Sequence, residues 1–219
     1  MTDEAPATTI RLEQPAWLRA WLQKPSPPAD DIARITEVLA LAREQVEQDS
    51  GGPFAAAVYR LETGERLSAA ANTTIACCCA AAHAELQALS LAQQRLGCHT
   101  LEAVPCVLVS SSAPCTMCLG AIAWSGVRRL VFSTPRRDVE AIGFDEGPAT
   151  PRWRHELERR GIEVRGPLRR REGQAILRRY LERGGPIYNP HLPQRPTGVA
   201  PAQEAQPHLP AASVPAVTE

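Results

Sequence analysis

Two short motifs place the strongest constraint on how this chain can fold: HAE at residues 83–85 and PCTMC at residues 114–118. Each motif opens a segment that has the composition of a helix. His83, Cys115 and Cys118 carry side chains that bind transition metals. If all three bind one ion, the fold has to bring the starts of two different helices to the same place.

A CxxC pair at a helix start has three common meanings: a redox pair, half of a structural zinc knuckle, or part of a catalytic metal site. Residues three apart share a helix face, so Cys115 and Cys118 can point the same way. A helix N-terminus also favours the thiolate that zinc requires. A structural zinc site needs four protein ligands, whereas His83 and the two cysteines together supply only three and leave the fourth position for water. The motifs therefore favour a catalytic site with one Zn²⁺ per chain.

Glu85 follows His83 by two residues, so its carboxylate can stand beside the water and shuttle protons without binding the metal. The combination H-x-E and P-C-x-x-C is the signature of zinc-dependent nucleobase deaminases, in which the glutamate is the general acid and base. Agreement of both motifs in residue type and order makes this match specific.

The remaining cysteines of the chain are not needed for that site. The seven cysteines form an odd number, and no secretory signal precedes them, which disfavours a disulfide framework. Cys77, Cys78 and Cys79 are an alternative source of metal ligands. Free cysteine is commonly buried as a small apolar residue, and we expect that for these three and for Cys98 and Cys106.

The hydrophobic pattern predicts how the elements alternate. A helix is expected from Asp30 to the glycines at 51–52, followed by a hairpin over residues 53–72. Helices then alternate with strands at PCVLVSS, VRRLVFST and IEVRG, and GFDEGP lies in a loop. This order predicts an α/β fold with a five-stranded sheet and helices on both faces. Trp124, on the helix after the two thiols, is expected in the core.

Three regions are expected along the chain. Residues 1–29 form an irregular, proline-containing extension that packs on the body. Residues 30–190 form the zinc-dependent domain. Residues 191–219 are rich in proline and hold little that could pack, which predicts a disordered tail.

Composition limits the partners. The formal net charge is zero, which gives no overall attraction to nucleic acid or to a membrane surface. No apolar run is long enough to span a membrane, and the acidic N-terminal sequence lacks the apolar segment of a secretory signal. We therefore expect a cytoplasmic location and no membrane partner.

Over about residues 30–190, the chain resembles the cytidine-deaminase-like superfamily, and most closely the bacterial guanine deaminases. The motifs that carry the resemblance are GGPFAAAV, AAHAELQALSLAQ, PCTMCLGAIAWSGVR, DVEAIGFDEGP and GGPIYN. The last two are more typical of guanine deaminases than of tRNA adenosine deaminases. The resemblance implies a three-layer α/β/α fold with a mixed sheet, a purine base as substrate and a homodimer.

The resemblance also implies residue roles. His83, Cys115 and Cys118 would hold zinc, and Glu85 would move the proton of the attacking water to the ring. Glu146 would be a second acid that assists the loss of ammonia, with Asp145 as its competitor. The substrate-binding residues would be Phe54, Asn72, Ala84, Phe144 and Tyr188. Of these, Asn72 would hydrogen-bond the purine, Phe54 would stack on it, and Tyr188 would come from a C-terminal segment that closes the site, in cis or across a dimer.

Two stretches depart from the usual pattern of the superfamily. Ala113 stands before Pro114 where an acidic residue is usual, so a local hydrogen bond is expected to be missing. CCCAAA precedes His83 where Pro-Thr-Ala is more usual.

Other functions remain open from the sequence. A tRNA-specific adenosine deaminase would use the arginines at 152–183 to contact phosphates, although the acidic GFDE loop would repel them. A non-catalytic zinc module is disfavoured by Glu85, since a structural site needs no carboxylate beside the metal. Cytosine and a triazine such as ammeline are alternative substrates.

Overall fold

The computed structural model describes residues 8–148 and 150–189. One unit of the chain ends at Tyr188 and a second begins at Asn189, and the expected tail at 191–219 lies outside the described residues. The strands are β1 (Ala55–Arg60), β2 (Arg66–Ala71), β3 (Cys106–Ser112), β4 (Arg129–Thr134) and β5 (Glu163–Arg165). The helices are α1 (Ala16–Trp21), α2 (Asp31–Glu47), α3 (Ala84–Leu96), α4 (Thr116–Ser125), α5 (Arg136–Glu140), α6 (Trp153–Glu158) and α7 (Arg170–Glu182).

The five strands form one mixed sheet in the order β2-β1-β3-β4-β5. Strand β1 pairs antiparallel with β2 and β3, whereas β3, β4 and β5 run parallel. The hairpin turns at Gly64, whose φ of 75° is a conformation that glycine adopts without steric cost. The predicted α/β fold with a mixed five-stranded sheet is confirmed.

Alternate residues of each strand face opposite sides of the sheet, and both sides are covered by helices. On one side Ala57 of β1 and Val109 of β3 belong to the core cluster that also contains Ile35 of α2 and Ile176 of α7. Their neighbours in the strands join a second cluster, which contains residues of α3, α4 and α6. The sheet is therefore the middle of three layers.

The N-terminal region is more ordered than expected, because residues 16–21 form helix α1. Leu18 and Trp21, one turn apart, are buried. Arg66 of β2 holds the segment: its Nη2 donates to the carbonyl oxygens of Leu22 (2.9 Å) and Lys24 (2.7 Å), and its guanidinium carbon lies 5.0 Å from the Trp21 ring centroid. Six residues are too few for a helical period to stand out among the prolines. The division of the chain into three regions stays a prediction.

The stretch GFDEGP lies in a loop as expected, and the short helix α5 that precedes it was not predicted. One further expectation was wrong. Trp124 was expected in the core but is 86% exposed. Helix α4 buries Cys118, Ile122 and Ser125, and Trp124 lies about 200° around the axis from Ile122.

Among residues 8–148 and 150–189, none of the helices has both the length and the apolar character needed to cross a membrane.

Gly173 of α7 allows that helix to lie close to β4, which gives a test of the packing. A methyl group there would lie 2.5 Å from Thr134 Cγ2 and 2.7 Å from Ser133 Oγ, both on buried side chains. We expect Gly173→Ala to lower the free energy of unfolding by about 1–3 kcal/mol in urea denaturation, although alanine is the better helix former. Ala175→Gly, at an exposed position of α7, measures propensity alone and is expected to cost about 1 kcal/mol. A Gly173→Ala protein as stable as the wild type would refute the close packing.

Candidate active site

The site lies where two helices begin, at the end of the sheet that is formed by the carboxyl ends of β3 and β4. Strand β3 ends at Ser112, and the chain continues through Ala113 and Pro114 to Cys115, the N-cap residue of α4. His83 is the N-cap residue of α3. The positive ends of two helix dipoles therefore point toward the same place, which favours negatively charged groups there.

His83, Cys115 and Cys118 come together as the motifs predicted. Cys115 Sγ and Cys118 Sγ lie 3.5 Å and 3.6 Å from His83 Nδ1. Two ligands of a tetrahedral zinc ion, one nitrogen at about 2.05 Å and one sulfur at about 2.3 Å, are separated by about 3.6 Å. The three donor atoms all lie within 4.8 Å of one another, and they are the only such group among the described residues. The geometry and the donor types therefore fit zinc.

The pKa values of the two thiols move in opposite directions in this arrangement. A hydrogen bond from Cys118 lowers the pKa of Cys115 to about 4 against the effect of burial, and a hydrogen bond from His83 lowers it further. The same hydrogen bond, together with burial, raises the pKa of Cys118. One thiolate is thus already favoured, and a bound cation would favour the second.

Glu85 is buried beside these ligands, in the first turn of α3. The hydroxyl of Ser110 on β3 donates to Glu85 Oε1 at 3.2 Å. Burial, and then the negative charge of Cys115, raise the pKa of Glu85. A fixed carboxyl group with a raised pKa is suited to exchanging protons near neutral pH.

Glu146 is the second buried carboxyl group of the site, with a side chain 8% exposed. Thr116, next to Cys115, fixes its backbone: the Thr116 amide donates to the Glu146 carbonyl at 3.1 Å. Burial, and then the charges of Cys115 and Glu85, raise the pKa of Glu146 to about 8. Asp145 is exposed, and its Oδ1 accepts from the amide of Gly147 at 2.9 Å. Of the two competing acids, Glu146 is the one that lies at the site.

Asn72 is almost completely buried at the end of β2. Its amide donates to the carbonyl of Phe54 at 3.0 Å, and its carbonyl accepts from Gln45 Nε2 at 2.8 Å. Its Oδ1 accepts from the amide of Thr74 at 3.2 Å. Its backbone is therefore held on both sides. Ala84 is also buried, with its side chain in the core under α3.

Three aromatic residues expected at the site form one cluster. The ring of Phe144 lies 5.1 Å from the rings of both Phe54 and Tyr188, in each case edge to face at 68°. A Cβ atom added to Gly52 would lie 2.1 Å from the Tyr188 hydroxyl, so only glycine fits beneath it. That hydroxyl is buried and has no hydrogen-bond partner among the described residues.

The other cysteines have mixed surroundings. Cys106 is buried as expected, but Cys78 is exposed and Cys77, Cys79 and Cys98 are only half-buried, so the expected burial was wrong for these four. Three consecutive residues in a turn cannot all face the core. The Cys77 thiol contacts Thr73 Oγ1 at 3.3 Å. None of the three consecutive cysteines belongs to the metal-binding group.

Several residues that support the site were not found from the sequence: Gln45, Gln87, Ser110 and Thr116. Ser110 lies in a strand and faces Glu85, which only the pairing of elements reveals. Gln87 had a signal, because it is a polar residue one turn after His83 in a helix of alanine and leucine. It is buried and hydrogen-bonded to backbone.

Comparison with known proteins places this geometry in context. Residues 29–134 match the family described as the cytidine and deoxycytidylate deaminase zinc-binding region. Guanine deaminase of Bacillus subtilis is 32% identical over 112 residues, which cover 51% of this chain and 69% of that protein.

Two solved structures are more similar. The structure of guanine deaminase from Nitrosomonas europaea is 43% identical, with a TM-score of 0.76 over 81% of this chain and 98% of that one. A structure in complex with 2,6-diaminopurine is 45% identical, with a TM-score of 0.77 over 83% and 97%. The resemblance inferred from the motifs is confirmed.

Replacement of the thiols tests the metal site. We expect Cys115→Ala and Cys118→Ala each to lose bound zinc, because only two protein ligands would remain. Cys78→Ala is expected to keep one zinc per chain, since Cys78 lies outside the metal-binding group. Zinc content after gel filtration, measured by inductively coupled plasma mass spectrometry, checks both. Loss of zinc from Cys78→Ala would contradict the assignment.

Proposed function

The chain belongs to the cytidine and deoxycytidylate deaminase family, and on this basis we propose that it is a zinc-dependent hydrolase that converts guanine and water to xanthine and ammonia. The observation that carries the proposal is the pair of buried carboxyl groups, Glu85 and Glu146, which lie close enough to His83 and Cys115 for the charges of these residues to shift the pKa of both. The similarity to guanine deaminases and to a structure that binds a diaminopurine supports a free purine base as substrate.

Zinc, held by His83, Cys115 and Cys118, would supply a nucleophile at neutral pH by lowering the pKa of water to about 7. Glu85 would accept a proton from the attacking water and deliver it to a ring nitrogen of guanine, so that negative charge does not build up during attack at C2. Ser110 keeps the Glu85 carboxyl in place through its hydrogen bond. The group that transfers the proton is therefore held in a fixed position.

Glu146 supplies the second proton in this proposal. When the bond between C2 and the amino nitrogen breaks, that nitrogen must gain a proton to leave as ammonia, and the hydroxyl group on C2 must lose one to form the carbonyl of xanthine. A carboxyl group with a pKa of about 8 is largely protonated at neutral pH, so Glu146 can donate the first proton and regain its own from the second. Glu85 is thereby relieved of one of two proton transfers.

The aromatic cluster and Asn72 would bind the base. Planar rings pack favourably against the rings of Phe54 and Phe144. Asn72 would hydrogen-bond the purine edge, and Ala84 would contribute its backbone, since its side chain lies in the core. The unpaired hydroxyl of Tyr188 is suited to a hydrogen bond with the substrate, because a buried hydroxyl without a partner is costly. In this proposal all of these contacts come from one chain.

Nucleic acid is disfavoured as substrate. The arginines of residues 152–183 were the feature that favoured it, but many of them are neutralised by carboxylates of the same chain. Arg170 binds both oxygens of Asp138 at 2.8 Å, and Arg165 lies 2.6 Å from Asp31. Arg179 lies 3.0 Å from Glu47. Paired arginines have less to gain from phosphate contacts.

A homodimer formed through α4 would explain the exposed face of that helix. Met117, Gly120 and Trp124 lie on this face, with Met117 39% and Trp124 86% exposed. A Cβ atom added to Gly120 would meet nothing within 4 Å, so the face has space for another aromatic side chain. Tryptophan is enriched at the centre of protein interfaces.

A cytoplasmic location stays a prediction.

Turnover of free bases tests the function directly. We expect the zinc-loaded protein to release ammonia from guanine faster than from cytosine, adenine or ammeline. Glu85→Gln is the matched control: it is expected to keep zinc and lose about 10²–10⁴-fold in kcat. A Glu85→Gln protein with nearly wild-type kcat would show that Glu85 does not move the proton.

The second acid is tested by a side-by-side comparison. We expect Glu146→Gln to fold, to bind zinc and to lose about 10²-fold or more in kcat on guanine, because the departing nitrogen has no proton donor. Asp145→Asn changes an exposed neighbour by the same chemistry and is expected to remain close to wild type. If Asp145→Asn is the impaired variant, the role belongs to Asp145.

The dimer is tested by its mass. Sedimentation equilibrium is expected to give twice the chain mass for the wild type and the chain mass for Trp124→Glu, because a carboxylate would be buried in an apolar contact. Arg178→Glu, at an exposed position of α7, is the control and should leave the mass unchanged. A monomeric wild-type protein would refute the dimer.

A further inference from the structure

Gln87 is a buried amide on α3, 4% exposed, one turn after His83. Its Nε2 donates to the carbonyl oxygen of Ala82 at 2.8 Å and lies 3.2 Å from that of Ala71. Ala82 directly precedes His83, and Ala71 directly precedes Asn72. One side chain therefore contacts the backbone beside a metal ligand and beside an expected substrate ligand.

Gln14, from the N-terminal segment, completes this contact. Its Nε2 donates to Gln87 Oε1 at 2.6 Å, and its Oε1 accepts from the amide of Ala71 at 2.8 Å. The backbone donor of Ala71 is therefore satisfied by Gln14 and its acceptor by Gln87. Strand β2 lies at the sheet edge, where outward backbone groups have no strand partner.

The same amide also closes the loop between the two ligands. Gln87 Nε2 lies 3.0 Å from Thr73 Oγ1, and the Thr73 amide donates to the carbonyl of Ala82 at 3.0 Å. The two ends of the loop, at 73 and 82, thus meet at Gln87. A leucine at this place would fill the volume, but it would remove the side-chain donor from the Ala71 carbonyl and leave the Ala82 carbonyl with the Thr73 amide alone.

We infer that Gln87, oriented by Gln14, is a positioning residue that fixes the metal ligand His83 relative to Asn72. The effect of Gln87 on substrate binding through Asn72 rests on the proposed function, whereas its effect on zinc binding through His83 does not. The fixed distance between metal and substrate ligand matters because a displacement of about 1 Å can reduce the rate by about 10²-fold. Residues that orient metal ligands typically contribute 10–100-fold to affinity or activity.

Gln87→Met tests the inference, since methionine has a similar length and cannot hydrogen-bond. Zinc affinity is measured by competition with a chelator, and kcat and KM are measured on guanine. We expect each of zinc affinity and kcat/KM to fall by about 10–100-fold. Gln94→Met, at an exposed position of α3, is the matched control and should change neither. If Gln87→Met fails to fold, Gln14→Met carries the same measurements with smaller expected losses.

Two comparisons separate positioning from general loss of stability. In an Asn72→Ala background, Gln87→Met is expected to reduce kcat/KM much less than in the wild type, because its substrate arm acts through Asn72. The double variant Gln14→Met/Gln87→Met is expected to bind zinc no more weakly than Gln87→Met, because Gln14 reaches the backbone beside His83 through Gln87. Equal losses in both backgrounds, or unchanged zinc affinity, would overturn the inference. A wild-type protein inactive on guanine would instead refute the proposed function, and the chelator competition would still show whether Gln87 contributes to zinc affinity.

Discussion

The meeting of two thiols and one imidazole within 4.8 Å depends on α3 and α4 beginning at the same end of the sheet. The parallel strands β3 and β4 have their carboxyl ends there, and the β3-to-α4 connection is short enough to start the helix at that end. The thiols then meet the positive ends of two helices. These features are enforced by backbone topology, and the chemistry of the side chains is built on it.

Burial of so many acidic groups in one place would be unfavourable without a cation. Cys115, Glu85 and Glu146 act on one another as negative charges, and both glutamates have raised pKa values. Proteins relieve such repulsion by protonation or by binding a metal. Here the thiols are placed to bind the metal, and under the proposed function the carboxyl groups carry protons, so one cluster of acids would be divided between two tasks.

The sequence predicted what depends on local pattern. The metal ligands and Glu85 followed from residue type and spacing, and the sheet followed from the alternation in β1 and the strands after it. Trp124 was misplaced because an apolar residue on a helix does not by itself reveal which face is covered. The resemblance favoured Glu146 over its neighbour Asp145, and burial separates the two side chains in the structure, since Glu146 is buried and Asp145 is exposed. Gln87 could not be interpreted without knowing that β2 is an edge strand.

The position of β2 as an edge strand has a consequence for how copies of the chain can meet. Near both ends of β2, backbone groups are occupied by side chains: Ser26 accepts from the Arg66 amide, Arg95 donates to the carbonyls of Arg66 and Leu67, and the two glutamines bind Ala71. A strand from a second molecule would have to displace these contacts before it could pair along the full length of β2. Sheet extension, the common route to aggregation for an open edge, is thereby opposed by intramolecular competition.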